Sequence, residues 1–337
     1  METFLFKADD EHLAEAAALL KSGEVVAIPT ETVYGLAANA LDASAVRKIF
    51  IAKGRPQDNP LILHIASLPM LYEIAEYVPE TAERLAARFW PGPLTMIFPR
   101  RAHIPAETCG GLATVGVRMP RHSFTLKLIE LCGFPLAAPS ANTSGRPSPT
   151  SAAHVLKDMK GKIPMILDGG ECTCGVESTV IAFEEGAIRV LRPGAVTAEA
   201  LSEFADVRVD GGVLAAVDAG ALVPSPGMKY KHYAPNARVA LVEGEAERFY
   251  AFLDKKCAEG ERIGVLCAPG AAIPPGCLRL PYGDTPEERA ANLFASLRAA
   301  DELGCTAVYV EKPSAEGVGL AVLNRLLRAA AFRVIVL

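Results

Sequence analysis

The stretch of sequence that decides the fold is IPTETVYGLAANALDASAVRKIFIAKGRPQDNPLILH, residues 28–64. The apolar run over residues 25–28 is typical of a buried strand. It breaks at Pro29 into a polar turn, TETVY, which ends at Gly35. The predicted strand therefore delivers hydroxyl groups to its own C-terminal end, where ligand sites are commonly built.

A helix and a second strand follow this turn. Asp42 is a typical N-cap, so we predict a helix that begins there and ends near KGRP, residues 53–56, where glycine permits a left-handed stop and proline prevents continuation. We predict the second strand over residues 61–65, which contains His64. Taken alone, the cationic pair in KGRP could complement the helix dipole, and His64 could be a hydrogen-bonded strand residue. Their position near so many hydroxyl groups favours a ligand site.

The composition limits the possible functions. The chain has 337 residues, a length typical of two domains, and its formal net charge of −5 argues against a general nucleic-acid or membrane-surface binder. The eight cysteines include no C-x-x-C pair and no zinc-like spacing with histidine. No apolar run approaches the length of a membrane span, and the N-terminus does not resemble a signal peptide. We therefore expect a cytoplasmic protein with reduced thiols; roles for Cys172 and Cys174 stay open.

Further polar segments follow or flank predicted strands. The loop PSANTSGRPS at residues 139–148 follows one strand, GVEST at residues 175–179 opens another, and LRPG at residues 191–194 closes a third. Arg118 ends an alternating strand over residues 114–120, so its guanidinium either lies at the surface or points at a carboxylate. Together these segments predict a cleft at which several strand ends converge.

These motifs resemble, in order and spacing, those of the YrdC-like domain. The whole chain is similar to the long, two-domain form of the threonylcarbamoyl-AMP synthases, and the resemblance rests on IPTETVYGLA, KGRP with NPL and His64, PSAN, VESTV and LRPG. That family joins L-threonine, bicarbonate and ATP into threonylcarbamoyl-adenylate and pyrophosphate, the first half of the t6A modification of tRNA, which a separate transferase completes. The resemblance implies a nucleotidyltransferase. We expect Mg²⁺ to be held by ATP and water, with no metal ligand from the protein. The acidic composition predicts no stable nucleic-acid or membrane contact.

The resemblance also implies roles for individual residues. It places threonine near Thr32, His64, Arg118 and Ser178. It places ATP near Lys53, Arg55, Asn59, Thr114, Ala138, Ser140, Asn142, Ser148 and Arg192. It implies that Tyr230, His232 and Tyr233 belong to a lid over the site. No residue is expected to form a covalent intermediate, because the threonine amine can attack bicarbonate or CO₂ and the carbamate can attack the α-phosphorus.

The patterns and the resemblance predict an α/β architecture in two domains. Residues 1–209 are expected to form an α+β, YrdC-like catalytic domain with a mixed sheet and a concave face. The proline-spaced residues 210–237 are expected to be the linker and lid. Residues 238–337 alternate strands and helices, which predicts a small, parallel, Rossmann-like α/β domain. Asn324 and Arg325 on its last helix could serve packing or an interface.

Two other functions are compatible with this type of domain. YrdC-like domains also occur in carbamoyltransferases, but those proteins join them to zinc-binding or other catalytic modules, and this chain lacks paired C-x-x-C motifs. A double-stranded RNA-binding module is the non-enzymatic alternative, because the fold has a concave face. An acidic chain with cations clustered at strand ends fits a small phosphate ligand better than a duplex.

Overall fold

A computed structural model describes residues 1–215 and 232–337 of the chain. These residues form an 11-stranded mixed sheet and a 5-stranded parallel sheet, both with helices packed on them. This architecture confirms the predicted fold class. The predicted lid residue Tyr230, with the rest of residues 216–231, lies outside the described residues.

The larger sheet and its helices are built from the first part of the chain. The strands are β1 Phe4–Lys7, β2 Val26–Ile28, β3 Gly35–Asn39, β4 Ile62–His64, β5 Leu94–Pro99, β6 Thr114–Arg118, β7 Leu136–Ala137, β8 Met165–Asp168, β9 Thr179–Glu184, β10 Ala187–Arg192 and β11 Asp206–Val209. The helices are α1 Asp10–Lys21, α2 Ala43–Lys53, α3 Leu68–Ile74, α4 Glu80–Phe89, α5 Ser123–Cys132, α6 Ala152–Met159 and α7 Ala198–Ser202. The strand order is β1-β8-β2-β3-β7-β4-β6-β5-β9-β10-β11.

The decisive stretch forms the end of β2, then β3, α2 and β4. As predicted, Asp42 caps α2 by accepting from the backbone N–H of Ser44 at 2.8 Å, and the helix ends at Gly54 with φ of +61°. Strand β3 was not predicted. It pairs antiparallel with β2, Val26 opposite Ala37, and its sequence GLAAN lacks the β-branched residues typical of strands. Pairing with β2, and not local propensity, therefore specifies β3.

Apolar side chains are buried on both faces of the larger sheet. In β2, Val26 and Ile28 pack into a cluster with Leu20 of α1, whereas Ala27 packs into a second cluster with Ile49 of α2. Successive strand residues point to opposite faces, so a strand covered on both sides needs apolar residues at every position. This explains the uninterrupted apolar run at the start of the decisive stretch.

The second part of the chain forms the parallel sheet. Its strands are β12 Arg238–Glu243, β13 Ile263–Cys267, β14 Leu278–Pro281, β15 Ala307–Glu311 and β16 Val334–Val336, and its helices are α8 Ala246–Ala258, α9 Pro286–Glu302 and α10 Gly317–Ala329. The strand order is β14-β13-β15-β12-β16, with every pair parallel. Only β14, a short edge strand that ends in proline, was missed by the sequence analysis.

Buried polar contacts join the two parts of the chain. The side chain of Asn324 donates to the carbonyl of Val213 at 2.7 Å, and Arg325 forms an ion pair with Glu177 at 3.0 Å. These two residues of α10, whose role the sequence left open, are therefore interface residues. The larger sheet ends at Val209 and the smaller one begins at Arg238, while the domain bounds themselves stay a prediction. None of the helices in the two described ranges has the length and apolar character needed to cross a bilayer.

Candidate active site

One cleft of about 730 Å³, counting the part open to solvent, collects side chains from all the polar segments that the sequence analysis singled out. Most of the predicted site residues line it: Thr32, Lys53, Arg55, His64, Arg118, Ala138, Ser140, Asn142, Ser148, Ser178, Arg192, His232 and Tyr233. The structure therefore brings together residues that lie far apart in the sequence. Their individual roles in binding stay predictions.

The cleft lies where several strand ends converge, as the sequence predicted, since His64 ends β4, Arg118 ends β6 and Arg192 ends β10. It also extends along β4. At one end, His64 lies opposite Arg118 because β4 and β6 are parallel and in register. The PSAN loop follows β7, which is antiparallel to β4, so it reaches the other end of β4 near Ile62. The antiparallel pairing of β7 therefore gives the cleft two chemically different ends.

Asn59 and Thr114 lie beside the cleft without lining it. Asn59 is buried, and its backbone carbonyl accepts from Arg55 at 3.4 Å. The register of β4 and β6 places Ile62 opposite Gly116, so Thr114 lies level with the residue that precedes Leu61, away from Arg118. The predicted contact of these two residues with ATP therefore has less geometric support than that of the lining residues.

Arg118 is held rigidly at one end of the cleft. Its Nη1 donates to Thr32 Oγ1 at 2.8 Å, its Nε donates to the carbonyl of Gly92 at 3.2 Å, and its Nη2 lies 2.7 Å from Oε2 of Glu31. Burial by itself would raise the pKa of Glu31, but the charge of Arg118 holds that pKa below its ordinary value. Of the two alternatives for Arg118, the structure shows the one in which the guanidinium meets a carboxylate, and that carboxylate is Glu31 of the same chain.

His64 is a neutral base beside this cation. It is 3% exposed, and burial, followed by the charge of Arg118, lowers the pKa of His64 to about 3. Glu31 opposes this shift but does not reverse it. At neutral pH the imidazole therefore carries no charge, and one ring nitrogen can accept a hydrogen bond from an amine or a hydroxyl group.

We expect the buried neutral His64 to make stability fall as the pH drops from about 6.5 towards 4. In this window the unfolded chain binds a proton at this residue and the folded chain does not, since the folded pKa is about 3. Within this window, each unit by which the pH falls should lower the free energy of unfolding by about 1.4 kcal/mol through this residue. Urea unfolding of His64→Asn at pH 7, 6 and 5 should show a flatter dependence than the parent protein. The exposed His103→Asn is the matched control; equal slopes in all three proteins would contradict the prediction.

Lys53 and Arg55 form the cationic end of the cleft. Lys53 is fully buried and donates from Nζ to the carbonyl of Ser140 and, at 2.7 Å, to the carbonyl of Asn142. Burial lowers the pKa of Lys53 well below its ordinary value. The guanidinium of Arg55 donates to the carbonyl of Pro60 at 3.1 Å. The KGRP motif is thus tied to the PSAN loop, so a ligand at this end would contact both.

Ser178 lies next to a second buried arginine. Arg192 donates from Nε to the carbonyl of Ser178 at 3.1 Å and from Nη2 to its Oγ at 3.2 Å. The hydroxyl of Ser178 is also 2.8 Å from that of Thr95. Gly194 makes this packing possible, because a Cβ there would lie 2.4 Å from the backbone nitrogen of Thr179. This contact explains the glycine of the LRPG motif.

Glu177 links the cleft to the second part of the chain. One carboxylate oxygen accepts from Ser148 at 2.5 Å, and the other pairs with Arg325 of α10 at 3.0 Å. The segment can approach α9 because Gly175 has φ of +69° and a Cβ there would lie 2.4 Å from Ala291. Residues of the GVEST motif therefore contribute both to the cleft and to the interface with the second part of the chain.

Comparisons with known proteins identify the family. Residues 18–194 match the Sua5, YciO and YrdC family, described as telomere recombination, and residues 196–331 match the C-terminal domain of threonylcarbamoyl-AMP synthase. The chain belongs to the threonylcarbamoyl-AMP synthase family. It is 48% identical to the threonylcarbamoyl-AMP synthase of Pyrococcus abyssi over 95% of this chain and 94% of that protein. It is 45% identical to that of Bacillus subtilis over 97% of this chain and 95% of that protein.

The fold of this synthase family member agrees with the same assignment. A crystal structure of P. abyssi Sua5 complexed with L-threonine has a TM-score of 0.92 and 46% identity, and covers 100% of this chain and 99% of that one. These findings confirm the family resemblance, the synthase function and the enzyme class predicted from the motifs.

Three buried residues in or beside this enzyme's cleft were missed by the sequence analysis. Glu31 and Glu177 stand inside quoted motifs, but their arginine partners are distant in sequence, 148 residues away for Glu177 and Arg325. Thr95 lies in an ordinary-looking strand and meets Ser178 across 83 residues. The alternation of β5 could have placed Thr95 on one face of the sheet, but no local pattern indicates which face meets the cleft.

The buried carboxylates in and beside the enzyme's cleft, Glu177 and Glu31, are each paired with an arginine. Within the described residues, one cluster of potential metal ligands occurs, formed by Asp9, Glu11 and His12 at the start of α1, and these residues do not line the cleft. Burial raises the pKa of both Cys172 and Cys174, which is typical of unreactive thiols. Neither cysteine belongs to that cluster.

Proposed function

We propose that the enzyme condenses L-threonine, bicarbonate and ATP into threonylcarbamoyl-AMP and pyrophosphate. The observation that carries the proposal is the cleft along β4, which has two different ends. Arg118 and His64 at one end suit the carboxylate and the amine of an amino acid. Lys53 and Arg55 at the other end suit phosphates. The product would then be used by a separate transferase in t6A formation on tRNA.

Threonine is proposed to bind near Thr32, His64, Arg118 and Ser178. The support is geometric, since all four side chains line the cleft, and Arg118 donates to Thr32 and lies opposite His64. It is also chemical, because Arg118 is a cation and His64 a neutral acceptor. The relative solved with L-threonine, at 46% identity, is consistent with this substrate.

ATP is proposed to bind near Lys53, Arg55, Asn59, Thr114, Ala138, Ser140, Asn142, Ser148 and Arg192. Mg²⁺ would accompany ATP and neutralise phosphate charge. The donor set fits an ion held by ATP and water, because the buried carboxylates of Glu31 and Glu177 are paired with Arg118 and Arg325. The cations of the protein would neutralise the remaining phosphate charge.

The chemistry needs placement more than a reactive side chain. The threonine nitrogen forms a bond to the carbon of bicarbonate or CO₂, which gives a carbamate and releases water when bicarbonate is used. A carbamate oxygen then forms a bond to the α-phosphorus, the bond to the bridging oxygen breaks, and pyrophosphate leaves. The buried groups of the cleft would hold the reactants in line and exclude water from the mixed anhydride.

We propose, as expected from the sequence, that the segment before β12 acts as a lid. His232 and Tyr233, the predicted lid residues that the structure describes, line the cleft, and the guanidinium of Arg325 lies 5.8 Å from the Tyr233 ring centroid. Burial, followed by the charge of Arg55, lowers the pKa of His232 to about 3. A neutral histidine and a tyrosine could cover a bound nucleotide and hydrogen-bond to it.

Pyrophosphate release should require threonine and bicarbonate together. Bicarbonate has to become a carbamate on the amine before an adenylate can form, so leaving out either compound should reduce release to background. The measurement is a coupled pyrophosphate assay with ATP and Mg²⁺, and mass spectrometry of the adenylate. Formation of ADP and phosphate, or turnover that is indifferent to the amino acid, would exclude the proposed chemistry.

Two arginine variants, one within α2 and one just after it, control for contaminating enzymes. Arg55→Ala removes a cation that lines the cleft, so its preparation should lose pyrophosphate release. Arg47→Ala removes an arginine of α2 that is half exposed and paired with Glu107, so its preparation should keep the parent activity. Equal activity in the two preparations would assign the signal to a contaminant.

A further inference from the structure

We infer that Ser178 presents its hydroxyl hydrogen to an anionic oxygen in the cleft, and that the buried Thr95 is the positioning residue that fixes this direction. The inference rests on the proposed function, which supplies the anionic oxygen: the carboxylate of threonine or the carboxyl group derived from bicarbonate. Ser178 is thus assigned as the hydrogen-bond donor to the ligand, whereas a hydroxyl group can in general either donate or accept.

Arg192 fixes the first hydrogen bond of the Ser178 hydroxyl. Its Nη2 lies 3.2 Å from Ser178 Oγ, and its Nε donates to the backbone carbonyl of the same residue at 3.1 Å. A guanidinium has no acceptor, so Ser178 accepts in this contact. One of the two acceptor positions of Ser178 Oγ is thereby filled.

Thr95 fixes the second hydrogen bond. It lies in β5, is 0% exposed, and its hydroxyl oxygen is 2.8 Å from Ser178 Oγ. Among the residues that the structure describes, Ser178 is the one hydrogen-bond partner of the Thr95 side chain. If Ser178 donated to Thr95, the hydrogen of Thr95 would be buried without an acceptor, which is unfavourable. Thr95 therefore donates to Ser178.

The direction of the Ser178 hydrogen follows from these two contacts. With both acceptor positions filled, its own O–H cannot point at Thr95 or Arg192. Ser178 lines the cleft, so the remaining direction is towards a ligand. Arg192 and Arg118 line the same cleft, and two guanidinium groups favour a negatively charged oxygen at this position. The nearby carboxylate of Glu177 is already engaged by Arg325 and Ser148.

Two substitutions at Thr95 separate the hydroxyl group from the packing of its methyl group. Thr95→Val keeps the shape and removes the hydroxyl, so Ser178 loses the contact that orients it, and kcat/KM should fall about tenfold. Thr95→Ser keeps the hydroxyl and removes the methyl group, so kcat/KM should stay near the parent value. Ser178→Ala removes the donor itself and should lose at least as much as Thr95→Val.

Thr108→Val is the matched structural control. Thr108 is also 0% exposed, and its hydroxyl donates to the carbonyl of Ala40 at 2.9 Å, away from the residues that line the cleft. This variant should be less stable in a thermal unfolding experiment but keep the parent kcat/KM. A loss of activity in Thr95→Val that exceeds that of Thr108→Val therefore cannot come from reduced stability alone.

The kinetic constants identify the oxygen that Ser178 contacts. A raised KM for threonine, with weaker threonine binding in calorimetry, assigns it to the threonine carboxylate. A raised KM for bicarbonate, or a lowered kcat, assigns it to the carboxyl group from bicarbonate. Parent constants in Thr95→Val, or equal losses in Thr95→Val and Thr95→Ser, would overturn the inference. If the parent enzyme did not turn over, the proposed function would fail. Calorimetry with L-threonine on the same variants would then decide the inference. Weaker threonine binding by Thr95→Val than by the parent protein would support it, whereas equal binding by the two proteins, or no binding by the parent, would overturn it.

Discussion

Arg325→Met is expected to destabilise the protein by about 3–5 kcal/mol, because it leaves the carboxylate of Glu177 buried without its cation. The Arg325 side chain is fully buried, and it lies 3.0 Å from Glu177 Oε2. It also donates to the carbonyls of Pro193 and Glu177, at 2.6 and 3.2 Å. Burial alone would raise the pKa of Glu177, and Arg325, followed by Arg192, holds that pKa below its ordinary value. Removing Arg325 thus leaves both a buried charge and unpaired carbonyl groups.

Urea unfolding can locate this loss of stability within the chain. Trp90 is the single tryptophan, so its fluorescence reports on the first part of the chain, while circular dichroism reports on both parts. We expect Arg325→Met to lower the midpoint in both signals, since Arg325 belongs to α10 and Glu177 precedes β9. Adding Glu177→Gln removes the buried charge and should restore part of the loss.

Arg238→Met is the control for the loss of a surface ion pair. Arg238 lies 2.8 Å from Glu261, but its side chain is 56% exposed. Exposed pairs contribute at most about 1 kcal/mol, so this variant should unfold close to the parent midpoint. An Arg325→Met protein as stable as Arg238→Met would show that the buried pair does not hold the two parts of the chain together.

The sequence predicted those parts of the fold that local chemistry determines. Helix α2 has an aspartate N-cap and a left-handed glycine at its end, and both signals act over a few residues. The sequence of strand β2 is uninterruptedly apolar because both of its faces are buried. The alternation of strands and helices after residue 238 was likewise predicted, because the spacing of apolar residues along the sequence differs between strands and helices.

The parts that the sequence did not predict depend on tertiary contacts. Strand β3 consists mostly of small residues, and its pairing with β2 specifies it. The direction of β7 relative to β4 depends on sheet pairing, so the extension of the cleft along β4 could not be read from the order of the motifs.

The same limit applies to the candidate site. Most of the predicted site residues that line the cleft were identified from the motifs, because the family resemblance rests on the identity and order of those residues. They did not supply the internal partners, because Glu31 with Arg118 and Thr95 with Ser178 meet only when distant strands pair. These internal partners fix which groups of the site are charged, neutral, donating or accepting.

Arg118→Lys should weaken threonine binding by about 100-fold although the positive charge is kept. The guanidinium of Arg118 uses three nitrogens at once, for the carbonyl of Gly92, the hydroxyl of Thr32 and the carboxylate of Glu31. A lysine has one nitrogen on a flexible chain and cannot reach all three partners while it also faces a substrate carboxylate. Glu31 would then attract the ammonium group away from the cleft, because it is buried and negatively charged.

Calorimetry with L-threonine measures this loss directly, and Arg100→Lys is the matched control. Arg100 also uses its guanidinium for carbonyl groups, those of Leu112 and Ile104 at 2.9 Å each, but it does not line the cleft. Arg100→Lys should therefore bind threonine as the parent does, and ATP binding should be unchanged in both variants because Lys53 and Arg55 lie at the other end of β4. If Arg118→Lys bound threonine as tightly as Arg100→Lys, the assignment of the amino acid to the Arg118 end of the cleft would be wrong. Weaker ATP binding with threonine binding intact would reverse the two ends of the proposed site.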